Sequence, residues 1–163
     1  MSLKNYTNRA RSKGAPELME NEMKLTNQLC FSVYNASRLF TKFYQKALKP
    51  FNLTYPQYLV LLSLWQQDNQ TLHALGDELR LSSNTLTPLL KRLEQSGWVQ
   101  RIQPDEDHRQ LNVKLTETAK KQEKAIYKAI GECVSQEAFD INEYKAALQI
   151  NNKLVEELEA ILN

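Results

Sequence analysis

The two cysteines, Cys30 and Cys133, can take part in more kinds of reaction than the other side chains of this 163-residue chain. A thiol can act as a nucleophile, join a disulfide or bind a metal. Two cysteines far apart in sequence, without a C-x-x-C spacing, fit neither a disulfide framework nor a zinc site. No basic residue lies within one helical turn of Cys30, so any activation of its thiol must come from residues that the fold brings near it. The local sequence alone favours a small, buried core position for Cys30.

The two histidines, His73 and His108, do not extend this pair into a catalytic or metal site. Neither has a nucleophile or a metal-ligating partner near it in the sequence. A peroxidase that used Cys30 would need a turnover partner, which the sequence does not show. We therefore expect no enzyme, no metal and no cofactor.

The elements that position these cysteines are predicted to be mainly helical. The chain has 4 Gly and 5 Pro, with 42% hydrophobic and 25% charged residues, which is typical of a globular protein with few tight turns. Residues 1–20 lack an apolar signal segment, and no apolar run approaches the length of a membrane span. We expect a cytoplasmic protein that does not bind a membrane.

Hydrophobic spacing and capping residues predict a long helix followed by a helix-turn-helix. A long amphipathic helix is predicted over residues 21–48, and Thr54 with Gln57 forms a capping box that opens a helix buried on most sides. Thr71 and Ser82 then cap two short helices joined by a tight polar turn. This arrangement matches a helix-turn-helix, although any helical hairpin has a similar pattern.

The strands that follow indicate a wing. Residues 98–102 and 111–115 are strand-like and flank a charged loop, and a hairpin directly after a helix-turn-helix is a wing. Thr116 and Asp140 then cap two further helices. The predicted fold is mainly α with a small β-hairpin wing: a winged helix-turn-helix.

The amphipathic stripes of the N- and C-terminal helices exceed what one small winged helix can cover. A homodimer through these helices is the simplest solution, and a monomer whose terminal helices pack on each other is the alternative. The predicted regions are a flexible N-terminal arm, an N-terminal dimerisation helix, the DNA-binding domain and the C-terminal dimerisation helices. They cover residues 1–20, 21–53, 54–116 and 117–163.

The distribution of charge favours a DNA partner. The net charge of the whole chain is +2, which is too mild to indicate nucleic acid. Residues 80–115 carry a net +2, whereas residues 137–163 carry a net −4. Positive charge therefore lies in the segment that is expected to contact DNA.

Short hydrogen-bonding side chains begin the second helix of the motif, where a recognition helix meets base edges and phosphates. The candidate DNA-contacting residues are Ser83, Asn84, Thr85, Thr87, Pro88, Lys91, Arg92, Arg101 and Arg109. Arg109, at the tip of the wing, is placed to enter a minor groove. Asp107 is expected to support the wing, with plain solvent exposure as the alternative. A dimer of such units predicts a palindromic double-stranded operator.

The segment 107–116 resembles the D-x-R-x-x-x-V-x-L-T wing signature of MarR-type repressors. Three further blocks, residues 28–34, 53–61 and 86–94, are similar to the OhrR branch of that family, whose members sense organic hydroperoxides. The resemblance runs in order over nearly the whole chain.

This resemblance implies a dimeric repressor that releases DNA when an organic hydroperoxide oxidises a thiol near the start of the first helix, here Cys30. It implies that Tyr44 and Tyr55 hydrogen-bond this thiol across the dimer, with Tyr34 nearby. In the two-cysteine members a C-terminal cysteine resolves the oxidised thiol as a disulfide between subunits, and Cys133 lies in that region.

Two alternatives stay open within the same family. One is a related thiol-based global regulator of stress or virulence genes; such regulators usually have a single cysteine, so Cys133 is the discriminating feature. The other is a MarR-type repressor that binds a small phenolic ligand between its domains, for which Cys30 would be incidental.

Overall fold

The computed structural model describes residues 23–103, 111–135 and 140–162. The α-helices in these ranges are α1 (Leu29–Leu48), α2 (Tyr55–Gln66), α3 (Leu72–Leu79), α4 (Ser83–Gln95), α5 (Glu117–Ser135) and α6 (Ile141–Leu162). Short 3-10 turns, Leu25–Asn27 and Lys49–Phe51, flank α1. None of the described helices is long and apolar enough to cross a membrane. The chain divides into two compact units, Met1–Phe43 and Tyr44–Asn163.

The long first helix begins later than its periodicity predicts. The α-helical hydrogen bonding of α1 starts at Leu29 and not at residue 21. The preceding Thr26 and Asn27 lie in a 3-10 turn, where the Thr26 hydroxyl donates to Asn27 Oδ1 at 3.4 Å. Short polar side chains of this kind compete with helical hydrogen bonds. The consequence is that Cys30 lies in the first turn of α1.

The capping box that opens α2 is confirmed. The backbone N–H of Thr54 donates to Gln57 Oε1 at 2.9 Å, and Pro56 occupies the first turn. Val60 and Leu61 of this helix are completely buried. The predicted burial of α2 on most sides is therefore also confirmed.

Helices α3 and α4 form the predicted helix-turn-helix. Thr71 Oγ1 accepts from the N–H of Ala74 at 3.0 Å and caps α3. The chain then turns at Arg80, which is left-handed with φ 53°, and the N–H of Leu81 donates to the carbonyl of Gly76 at 2.9 Å. A Cβ on Gly76 would lie 3.0 Å from the Leu81 carbonyl oxygen, so this tight turn favours glycine there.

The wing is a three-stranded sheet, one strand more than predicted. Strands β2 (Val99–Ile102) and β3 (Asn112–Leu115) are antiparallel, with Arg101 opposite Val113. The additional strand β1 (Gln70–Thr71) pairs with β3, so the strand order is β1-β3-β2. Two polar residues before a helix carry no alternation, which is why the sequence did not predict β1. The tip of the wing, residues 104–110, lies outside the described residues, and with it Asp107 and Arg109.

One hydrophobic core joins these elements. Its largest completely buried side chains come from the end of α1, from α2 to α5 and from the wing: Leu48, Val60, Leu61, Leu64, Leu75, Leu86, Leu90, Leu93, Val99, Val113 and Ile126. We call the part from α2 to β3 (residues 55–115) the reading head, because its core fixes the orientation of α4.

Long helices follow the reading head, and both predicted caps are confirmed. Thr116 Oγ1 accepts from the N–H of Ala119 at 3.1 Å, and Asp140 Oδ1 accepts from the N–H groups of Asn142 and Glu143 at 2.7 and 3.1 Å. The two terminal helices, α1 and α6, keep large apolar side chains exposed. These are Leu29, Val33, Tyr34, Leu39 and Phe40 on α1, and Ile141, Tyr144, Leu148, Ile150, Leu158, Ile161 and Leu162 on α6.

Candidate redox site and nucleic-acid interface

Helix α4 has one face in the core and the opposite face exposed. The core side consists of Leu86, Leu90 and Leu93. The exposed side has the i, i+3, i+4, i+7 spacing of a helical surface: Asn84, Thr87, Pro88 and Lys91. Four of the predicted DNA-contacting side chains therefore lie together on the free face of the recognition helix, as binding in a major groove requires.

The start of α4 is fixed by local hydrogen bonds. Ser82 is the N-cap, its carbonyl accepts from the N–H of Thr85 at 2.9 Å, and the hydroxyls of these two residues lie 3.2 Å apart. Ser83 is exposed beside them. Pro88 has no N–H to donate to the carbonyl of Asn84, so one helical hydrogen bond is missing within α4.

Arg101 is occupied by an ion pair that holds the wing to α4. Its Nε and Nη2 atoms donate to Glu94 Oε2 at 2.8 and 2.6 Å, and its backbone N–H donates to Glu94 Oε1 at 3.1 Å. The hydrogen bond from Arg101 lowers the pKa of Glu94 below its ordinary value. The DNA contact predicted for Arg101 stays a prediction. The side chain of Arg92, by contrast, is exposed on the surface.

Asp68 also holds the wing in place, a role that the sequence did not predict. Its Oδ1 atom accepts from the N–H groups of Leu115 and Asn69, both at 2.8 Å, and its Oδ2 atom lies 3.2 Å from Lys120 Nζ. Burial alone would raise the pKa of Asp68, but the hydrogen bonds from Leu115, Asn69 and Lys120 lower it below its ordinary value. The Asp68-Asn69 turn signal was available in the sequence, but its partners were not.

A polar cluster ties α3 to α2. Ser63 donates to Glu78 Oε2 at 2.5 Å, and the buried Gln70 side chain donates to Ser63 Oγ at 2.9 Å and to the carbonyl of Gln67 at 2.9 Å. These contacts join residues of three elements, so nothing in the local sequence predicts them. Together with the contacts of Asp68, these hydrogen bonds join the helix-turn-helix to the wing within the reading head.

Cys30 is exposed, with its Sγ atom 4.0 Å from Gln28 Oε1. The core position that the local sequence favours is therefore wrong. The reason is that α1 enters the hydrophobic core only at its other end, where Ala47 and Leu48 are buried. The position near the start of the first helix, which the family resemblance implies, is confirmed.

Tyr44 and Tyr55 lie together in a row of aromatic side chains. Their rings stack with centroids 4.6 Å apart, and Tyr44 also stacks on Tyr58 at 5.6 Å. The row continues to Trp65, 6.3 Å from Tyr58, and from there to Tyr127 at 5.6 Å. The structure thus brings together two of the three tyrosines that were assigned to the thiol.

The environment of these phenols keeps them protonated. Burial raises the pKa of Tyr44, and the neighbouring Tyr55 and Tyr144 raise it further. Burial and Tyr144 likewise raise the pKa of Tyr55, and burial with the surrounding tyrosines raises that of Tyr58 to about 12. At neutral pH these hydroxyls are therefore hydrogen-bond donors. Tyr144, on α6, is a member of this group that sequence reasoning did not include.

The remaining predicted residues have separate surroundings. Tyr34 is exposed, and the guanidinium of Arg38 lies 5.6 Å from the centre of its ring. Cys133 is half-buried near the end of α5, and both cysteines are free thiols. Among the described residues, no group of three His, Cys, Asp or Glu side chains could hold a metal ion.

The family follows from comparison with known proteins. The MarR family model matches residues 53–111. The organic hydroperoxide resistance transcriptional regulator of Bacillus subtilis strain 168 is 49% identical over 112 residues, which cover 66% of this chain and 76% of that protein. The chain belongs to the MarR family.

Solved structures of AbfR, a protein of Staphylococcus epidermidis, extend the comparison. Reduced AbfR bound to DNA is 48% identical, with a TM-score of 0.81 over 89% of this chain and 99% of AbfR. Disulfide-formed AbfR is also 48% identical and covers 90% of this chain and 98% of AbfR, but its TM-score is 0.62. The described conformation is therefore more similar to the reduced, DNA-bound form than to the disulfide form.

Proposed function

We propose that this protein is a cytoplasmic, homodimeric repressor that binds a palindromic operator while its thiols are reduced and releases it when an organic hydroperoxide oxidises Cys30. The observation that carries the proposal is the exposure of Cys30 in the first turn of α1, outside the core. An accessible thiol at the start of a helix is in the environment in which cysteines react. The protein acts as a regulator and not as an enzyme, so it consumes hydroperoxide stoichiometrically.

Two observations favour this function over the alternatives within the family. The Bacillus relative is named an organic hydroperoxide resistance transcriptional regulator, which links it to this class of oxidant. The second cysteine, Cys133, is a free thiol that a single-cysteine global regulator lacks. A repressor controlled only by a phenolic ligand would need neither thiol.

The chemistry uses the two thiols as the reductant and the hydroperoxide as the oxidant. The Cys30 thiolate attacks the terminal oxygen of the hydroperoxide, the O–O bond breaks, and after protonation an alcohol leaves and Cys30 becomes a sulfenic acid. The thiolate of Cys133 from the other subunit then attacks the sulfenic sulfur and displaces hydroxide, which leaves as water. The two thiols together lose two electrons, and the hydroperoxide is reduced to the alcohol and water.

Tyr44 and Tyr55 of the other subunit donate hydrogen bonds to the Cys30 thiolate. Both phenols are protonated at neutral pH, and a phenol that donates to a thiolate stabilises its negative charge. The two rings stack with centroids 4.6 Å apart, which holds the two phenols beside each other. Tyr34, on the same helix as Cys30, is a further hydrogen-bond donor for this thiol.

The disulfide affects DNA through α5. This helix starts directly after the wing strand β3, and Cys133 lies about 24 Å further along it. A displacement of Cys133 therefore acts through a rigid element on the reading head, and two recognition helices must match half-sites about one helical turn apart. The lower similarity of this chain to disulfide-formed AbfR supports such a rearrangement.

The test is operator affinity before and after oxidation. A duplex selected by the reduced protein from a random-sequence pool serves as the probe, and cumene hydroperoxide is added in stoichiometric amount. Wild type should lose at least about a thousandfold in affinity, the lower end of the difference between specific and non-specific binding. Cys30→Ser should keep its affinity. As the matched control, Cys133→Ser should still reduce one hydroperoxide per subunit without becoming a covalent dimer. Release of DNA by oxidised Cys30→Ser would overturn the proposal.

A further inference from the structure

Arg80 lies in the turn between α3 and α4 and is bound by a carboxylate of the C-terminal helix. Its Nε atom is 2.5 Å from Glu159 Oε1, and its Nη2 atom donates to Glu159 Oε2 at 3.2 Å. Two of the three guanidinium nitrogens, Nε and Nη2, thus contact one carboxylate. The pair is solvent-exposed, with 62% of the Arg80 side chain and 45% of the Glu159 side chain accessible.

The backbone at Arg80 is held firmly in place. The residue is left-handed, with φ 53°, and its N–H donates to the carbonyl of Asp77 at 3.2 Å. It ends α3 and precedes Ser83, the first residue of α4, by three positions. In a helix-turn-helix the start of the second helix enters the major groove while the first helix crosses the sugar-phosphate backbone. A long cationic side chain at this turn can therefore reach a phosphate.

We propose that Arg80 binds a DNA phosphate in the complex and that Glu159 occupies the same guanidinium in the free protein, so that α6 competes with DNA for this cation. The inference rests on the proposed function, because it requires that α4 reads DNA. While its Nε–Nη2 edge is bound by a carboxylate, the guanidinium cannot bind a phosphate through that same edge. The carboxylate of Glu159 would also repel a phosphate brought to that position.

The charge of the C-terminal segment supports the competition. Residues 137–163 carry a net −4, and α6 places one of these carboxylates on a basic residue of the reading head. Since the pair is exposed, it holds Arg80 weakly. Glu159 therefore lowers DNA affinity without abolishing it and sets the strength of operator binding.

The test measures binding of the reduced protein to a mixed-sequence duplex of about three helical turns, because phosphate contacts do not depend on sequence. Glu159→Gln should bind about three- to tenfold more tightly than wild type. This factor corresponds to the free energy of one exposed ion pair, lost in one or in both subunits. Arg80→Gln should bind more weakly and should lower the slope of log affinity against log salt by about 0.9 per subunit. In the Arg80→Gln background, Glu159→Gln should have no further effect.

Glu156→Gln is the matched control, because it removes one negative charge from the same helix and keeps the Arg80–Glu159 pair. Equal affinities of Glu156→Gln and Glu159→Gln would overturn the inference, as would a gain from Glu159→Gln that persists without Arg80. If the wild type still binds DNA, either result contradicts only the competition between Glu159 and DNA and leaves the proposed function standing. Failure of the wild type to bind any duplex would overturn the proposed function as well. Unchanged far-UV circular dichroism verifies the fold of each variant.

Discussion

The reading head and the two terminal helices differ in where their apolar side chains lie. Leu61 and Leu64 of the reading head are completely buried, whereas Ile150 and Leu162 of α6 are 72% and 83% exposed. Over its described length α6 buries no side chain completely, and α1 buries only Ala47 and Leu48 at its end. The reading head is therefore complete within one chain, and the exposed terminal faces are the surface that a second copy would cover.

This difference also divides the function. The candidate DNA contacts on α4 belong to the reading head, whose α4 core residues are buried within one chain. Cys30 lies at the start of α1, and the stacked tyrosines that are assigned to it would come from another subunit. Each subunit thus supplies a whole recognition helix, whereas the proposed sensing step needs residues of both subunits.

The largest effect is expected from a charge placed on the apolar face of α6. Leu148→Asp should weaken dimerisation by about 3 kcal/mol or more, because each subunit would bury an unpaired carboxylate at the interface. Sedimentation equilibrium measures the change. The neighbouring Gln149→Asp adds the same charge to a polar position and should leave the dimer intact. If both variants dissociate equally, or if neither dissociates, this face of α6 does not form the interface.

A smaller effect is expected within the reading head. Asp68→Asn keeps an acceptor for the Leu115 N–H but loses the charged pair with Lys120, so it should lower the free energy of unfolding by about 1–2 kcal/mol at neutral pH. Urea denaturation measures it. Asp77→Asn is the control, because Asp77 forms an exposed ion pair with His73, and its cost should stay below about 0.5 kcal/mol.

The Asp68 effect has a defined pH dependence. The folded-state pKa of Asp68 is lowered, so its stabilisation is fully present above the unfolded value of about 3.9 and is lost as the pH falls through the lower folded value. The difference between wild type and Asp68→Asn should therefore shrink below about pH 4. A difference that grows on acidification would contradict this assignment.

The local signals in the sequence predicted the reading head well. The capping box of Thr54, the cap at Thr71 and the two wing strands each depend on residues a few positions apart, so periodicity and capping rules predict them. The MarR membership and the position of Cys30 at a helix start followed from the family resemblance, whereas the local residues favoured a buried thiol.

Contacts between distant residues could not be predicted in this way. Asp68 reaches Leu115, and Arg80 reaches Glu159, across many positions of the chain. Strand β1 exists because β3 provides its partner, and not because Gln70 and Thr71 favour a strand on their own. Arg101 is the type of residue that contacts DNA, but in the fold its side chain pairs with Glu94. Charge and spacing identify candidates, and only the fold shows which of them are already paired.

The most direct test of the division between chains is a mixed dimer of one Cys30→Ser subunit and one Cys133→Ser subunit, isolated through two different affinity tags. Neither parent homodimer can form a disulfide between these positions, whereas the mixed dimer retains one Cys30 and one Cys133 on opposite subunits. With cumene hydroperoxide, the mixed dimer should become covalently linked on non-reducing gels and should release operator DNA. A mixed dimer that stays unlinked and bound, beside a wild type that releases DNA, would contradict sensing across the subunits.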